Sequence, residues 1–103
     1  MNQKTECKLQ WTYISTTVYK DRQYSPETEI RFLVGTVDKA LEYLKSRIKR
    51  DVDDCIESVE NFREVVLNRN EDGIWGDSRV EFQSFYIEYK LVAMDETWFE
   101  VLE

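Results

Sequence analysis

Val52-Asp53-Asp54-Cys55-Ile56-Glu57-Ser58-Val59-Glu60-Asn61-Phe62-Arg63-Glu64-Val65-Val66 is the stretch whose reading decides the fold of this chain. Val52, Cys55, Ile56, Val59, Phe62 and Val66 recur at helical spacing, the apolar stripe of an amphipathic helix. An earlier stripe of the same kind runs through Val37, Ala40, Leu41, Leu44 and Ile48. Thr36 is placed to cap that helix, and Asp38 to complement the positive end of its dipole. The junction Lys49-Arg50-Asp51-Val52-Asp53-Asp54 holds no Pro or Gly to force a break. The pattern predicts one long bent helix or two shorter ones meeting near Asp51. Two are favoured, because Asp51 can cap the second.

Outward from this stretch the pattern turns to strands. In residues 7–20, Leu9, Trp11 and Tyr13 alternate with polar neighbours, and the apolar set then shifts parity to Ile14 and Val18. A bulge or twist near Ser15 is the expected cause. Residues 21–26 read as a turn, and residues 29–35 as a second strand with Ile30, Phe32 and Val34 on one face. Residues 68–78, with Gly73-Ile74-Trp75-Gly76, read as a loop, and residues 79–94 as one long strand apolar on both faces. A turn at Asp95-Glu96-Thr97 and a short strand over residues 98–102 close the chain. The expected fold is a single α+β domain over residues 1–103. Its order is ββααββ: an antiparallel sheet of about four strands with one long or two shorter helices packed on one face.

The bulk properties agree with an ordered domain. Hydrophobic residues make up 42% and aromatic residues 14%, while three Gly and one Pro are too few for a linker. No apolar run approaches the length of a membrane span, and the first residues lack the apolar stretch of a secretory signal. Cys7 and Cys55 suit a reducing compartment as free thiols. The expected location is the cytosol.

Charge is divided along the chain. Residues 1–50 hold ten Lys/Arg against six Asp/Glu, and residues 51–103 hold four against fifteen, giving +4 and −11 for the stated −7. This acidity opposes direct nucleic-acid binding and suits a basic partner. On the expected second helix, Asp53, Glu57, Glu60 and Glu64 would line one face, and Asp51, Asp54, Asp72 and Asp77 would extend it. Such a row of carboxylates can occupy a groove that normally holds phosphates. Trp75, between glycines in an acidic loop, would either anchor it in an apolar pocket or fold back with Ile74 to close the open end of the core. Lys45, Arg47, Lys49 and Arg50 form a basic cluster that pairs with Asp51, Asp53 and Asp54 along the helix or binds a small anion.

Catalytic constellations are few. The chain has no histidine, the commonest acid–base and metal-binding side chain. There is no Gly-rich phosphate loop, and no cofactor or metal is expected. Asp77 followed by Glu88-Tyr89-Lys90 matches the Asp…(Asp/Glu)-x-Lys pattern of Mg²⁺-dependent nucleases. That chemistry needs a turn near Gln83-Ser84, and no good turn former stands there.

In its size, its acidity and its ending Asp95-Glu96-Thr97-Trp98-Phe99-Glu100-Val101-Leu102-Glu103, the chain resembles small acidic accessory proteins encoded by bacteriophages, anti-CRISPR inhibitors among them. The resemblance implies a non-enzymatic inhibitor that works in the cytosol of a bacterial host and binds a basic bacterial protein or nucleoprotein complex as a nucleic-acid mimic, acting as a monomer or homodimer. The alternatives are a homo-oligomer binding a small ligand between subunits and, more remotely, the Mg²⁺ nuclease.

Overall fold

A computed structural model describes residues 8–70 and 73–94. The chain runs β1 (Leu9–Tyr19), β2 (Glu27–Gly35), α1 (Val37–Asp54), β3 (Asn61–Asn70), β4 (Gly73–Glu81) and β5 (Phe85–Met94). All five strands join one antiparallel sheet in the spatial order β2-β1-β5-β4-β3. The architecture is α+β with a single described helix, and the order is ββαβββ.

Helix α1 begins where expected. The Thr36 hydroxyl accepts from the backbone N–H of Lys39, and Asp38 lies in the first turn. Ala40, Leu44 and Ile48 face the sheet and are buried. They pack over Leu9, Trp11 and Tyr13 of β1 and Tyr89, Leu91 and Ala93 of β5, the central strands. The Trp11 indole also donates to the Gly35 carbonyl at 3.0 Å, fixing the chain where β2 gives way to the helix.

The second helix does not form, which corrects the reading of residues 52–66. Cys55 leaves the helix in extended conformation, and residues 61–66 enter β3. Two physical reasons stand out. Asp51, Asp53 and Asp54 crowd the negative end of the helix dipole, and no basic residue in the last turn offsets them. Phe62, Val65 and Val66 are also strong strand formers, and β4 offers them a partner.

Three further expectations change. The described part of the expected loop is strand: residues 68–70 lie in β3 and 73–78 in β4, with Asn68 opposite Trp75 and Asn70 opposite Gly73. Residues 79–94 are not one strand: Phe82, Gln83 and Ser84 turn the chain from β4 into β5, and the Phe82 N–H donates to the Phe85 carbonyl at 2.8 Å. Nor is β1 bulged at Ser15, because its register with β2 and β5 runs unbroken through that residue. The parity shift arises because both sheet faces carry apolar side chains there. The irregularity lies in β3, between Arg63 and Val66. The expected strand at residues 98–102, the turn before it, Cys7 and Asp72 lie outside the described residues.

Since partners across an antiparallel sheet share a face, the register divides the residues cleanly. One face holds the core under α1. The other carries Thr12, Ile14 and Thr16 of β1, Ile30 and Phe32 of β2, Glu88, Lys90 and Val92 of β5, and Trp75, Asp77 and Arg79 of β4.

Candidate interaction surface

The acidic residues gather where α1 ends and the connector to β3 begins. Asp51 is half-buried, and its carboxylate accepts from the Tyr89 hydroxyl at 2.8 Å. Burial, reinforced by Asp51, pushes the Tyr89 hydroxyl far above the ordinary tyrosine value. Asp53 is exposed and pairs with Lys49 at 2.8 Å, one of the expected pairs along the helix. Asp54 is exposed. Glu57 turns back to the β4–β5 turn and accepts from the Ser84 N–H at 3.0 Å and the Ser84 hydroxyl at 2.5 Å. These hydrogen bonds hold its carboxyl below the usual value. Glu60 and Glu64 are exposed, the latter on β3.

The even ladder of carboxylates on one helical face is therefore absent. Asp53 is on the helix, Glu57 and Glu60 are in the connector, and Glu64 is on a strand. What the fold presents instead is an acidic end with apolar residues laid open. Ile56 is 100% exposed, with Val59 and Phe62 also open to solvent. No Lys or Arg occurs from Asp51 to Phe62. Sequence periodicity placed these apolar residues in the core. No pattern signalled their exposure, which follows from the helix stopping early.

Beside this end lies a cleft of about 460 Å³ between α1 and the sheet. Glu27, Glu29, Asp51 and Asp54 line it, with Ser15 and Cys55 among the rest. Arg47 is not free to serve an anion site, because its guanidinium is hydrogen-bonded to Glu29 and lies 5.6 Å from the centre of the Tyr13 ring. Burial raises the Glu29 carboxyl, but hydrogen bonds and charge from Arg47 and Arg31 outweigh it and hold the carboxyl low. This cluster of Tyr13, Glu29, Arg47 and Tyr89 was missed in the sequence. The signal lay in tyrosines at core-facing strand positions, where a hydroxyl calls for a polar partner.

Trp75 is half-buried in β4 between Asn68 and Val92, and so is not a loop-tip anchor. Asp77 stands opposite Lys90, and Arg79 opposite Glu88. The turn at residues 82–84 thus brings Asp77, Glu88 and Lys90 onto one face, beside a hollow of about 320 Å³. Both carboxylates are engaged by arginines: Asp77 by Arg63 at 3.1 Å and Glu88 by Arg79 at 3.4 Å. Among the described residues no group of three His, Cys, Asp or Glu is arranged to hold a metal ion, and no helix is long and apolar enough to cross a membrane.

Comparison with family models, with curated proteins and with solved structures finds no match for the chain.

Proposed function

We propose that this protein acts by binding, without catalysis of its own, as a stoichiometric inhibitor of a basic, nucleic-acid-handling protein or complex in the bacterial cytosol. The setting, including a phage origin and an anti-CRISPR-like role, rests on the resemblance in size, acidity and terminal sequence. The docking end is Asp51, Asp53, Asp54, Glu60 and Glu64, with Ile56 as the apolar anchor in place of Trp75. Glu57 supports it by holding the connector against the β4–β5 turn.

One observation carries the reading: Ile56 stands fully exposed within a segment that carries carboxylates and no cation. An exposed branched aliphatic side chain gains by entering a partner's pocket, and the surrounding carboxylates steer a basic surface toward it. Binding of this kind depends on clustered charge and one anchor, and does not need the regular spacing of a phosphate backbone. Three carboxylates at the helix's negative end cost stability in the free protein, and a basic partner would recover that cost.

The test is affinity capture from bacterial lysate with the wild-type chain, with the Asp53→Lys/Asp54→Lys/Glu60→Lys variant and with Ile56→Ala. The reading expects a basic, nucleic-acid-handling protein to be retained by wild type, released by moderate salt and lost with either variant. A captured protein that both variants retain equally would overturn it.

A further inference from the structure

The half of the helix-free face formed by β1 and β2 carries no charge. Its residues pair as Gln10–Val34, Thr12–Phe32, Ile14–Ile30 and Thr16–Thr28. All eight are uncharged in a chain that is 34% charged. The same face of β4 and β5 is instead filled by Asp77, Arg79, Glu88 and Lys90. Contiguous exposed apolar side chains with no charge among them mark an interaction surface. Phe32 is 79% exposed, Val34 71% and Ile30 50%. These three alternate residues form an apolar row on the outermost strand.

Among the described residues that strand is also an open edge. β2 holds nine residues in unbroken register with no Pro, Lys or bulge, and its charges, Glu27, Glu29 and Arg31, are confined to the side facing α1. Its opposite number, β3, is interrupted by the irregularity at Arg63 and Val66.

We infer that β2 pairs antiparallel with β2 of a second copy, about a two-fold axis at Phe32, joining the two described five-stranded sheets into one continuous sheet. The sequence of β2 is self-complementary about that residue. Ile30 of each copy would stand opposite Val34 of the other, and the two Phe32 rings would meet at the centre, so that every exposed apolar residue of the row finds an apolar partner. A second copy is the occupant that the charge pattern favours. Each chain carries −7, so self-association requires a surface free of that charge, and this half-face is one. On the side facing α1, Arg31 would lie opposite Leu33, its charge already met by Glu29 at 2.9 Å. The contact is isologous, so it closes at two copies. It uses none of the side chains assigned to the proposed docking end.

The test uses the full chain with Cys7→Ser and Cys55→Ser, to which Phe32→Cys or Ile30→Cys is added. The inferred axis places the two Phe32 positions directly opposite each other, within disulfide reach. Phe32→Cys is expected to form a covalent dimer on mild oxidation, and Ile30→Cys, which faces Val34, far less of one. Sedimentation equilibrium of the wild type should show a concentration-dependent dimer, and Phe32→Arg should weaken it by about thirtyfold or more. A wild type that stays monomeric at every attainable concentration would overturn the inference. So would a dimer that Phe32→Arg leaves intact, or faster cross-linking through Ile30→Cys than through Phe32→Cys.

Discussion

The Tyr89 hydroxyl donates to the Asp51 carboxylate at 2.8 Å, joining a central strand of the sheet to the last turn of the helix. The bond crosses the core at the point where the helix must stop, and it positions the acidic end relative to the sheet. Tyr89→Phe leaves the ring in place and deprives Asp51 of its donor. The expected cost is about 1–2 kcal/mol in urea unfolding, the range for a hydrogen bond to a charged group that keeps some access to water. An unchanged midpoint would show that the bond does not hold the helix end.

Ile56→Ala is expected to change stability by less than about 0.5 kcal/mol, because the side chain is wholly exposed. Leu44→Ala, in the buried stripe of α1, should cost about 2–5 kcal/mol. A large loss at Ile56 would mean that the segment after Asp54 packs into the core as a second helix after all.

Gly76 lies where β4 runs against β3, and a Cβ there would meet the Leu67 side chain at 2.8 Å and the Val66 carbonyl at 3.1 Å. Gly76→Ala should cost about 1–3 kcal/mol by overpacking. A loop position would tolerate the change.

The single-helix outcome shows what the sequence could and could not reveal. The first stripe, Val37 to Ile48, was legible because a cap, a dipole-matched Asp38 and a helical period agreed. The second stripe had the period and Asp51 as a candidate cap, but Asp51 lies in the last turn of α1 with its carboxylate engaged by Tyr89. In a stretch as rich in Val and Phe as residues 59–66, three- and four-residue spacing also arises by chance in a strand. The break at Gln83-Ser84 was hidden because Ser84 stands without the Gly, Pro, Asn or Asp neighbours that make a turn signal strong. It is fixed by tertiary ties: Glu57 onto Ser84, and the Lys20 ammonium onto the Phe82 carbonyl at 2.9 Å. Among the site residues the acidic end was legible as composition, whereas the exposure of Ile56 was not.

Stability should fall at both extremes of pH. Glu29 and Glu57 have carboxyls held below their unfolded value. Their contribution is present above that value and is lost as pH falls through the folded one, so acid unfolding begins below about pH 4.5. Burial raises Tyr13 and Tyr89 above their unfolded value, so above about pH 10 the unfolded chain ionises first and stability drops. Phenolate absorbance should accordingly include a fraction of tyrosines that titrate only with unfolding. Smooth titration of all tyrosines without unfolding would contradict the burial of Tyr13 and Tyr89.

Saturating Mg²⁺ is expected to leave the Tm unchanged, because Asp77 and Glu88 are each engaged by an arginine. A Mg²⁺-dependent rise in Tm that Glu88→Ala abolishes, accompanied by cleavage of nucleic acid, would instead assign that hairpin a metal centre.

Asp54→Lys should raise stability by about 0.3–1 kcal/mol, since it exchanges an anion for a cation at the negative end of α1. The same change is expected to weaken partner binding. A residue that costs stability and supports binding is the signature of a surface kept for recognition.

The most direct measurement titrates the captured basic partner with the wild-type chain and with the Asp53→Lys/Asp54→Lys/Glu60→Lys variant, at two salt concentrations, after confirming that the variant is at least as stable. The expected result is tight, salt-sensitive binding by wild type and a loss of at least a hundredfold in affinity for the folded variant. Equal affinity for both proteins, insensitive to salt, would contradict the claim that the acidic end is the docking surface.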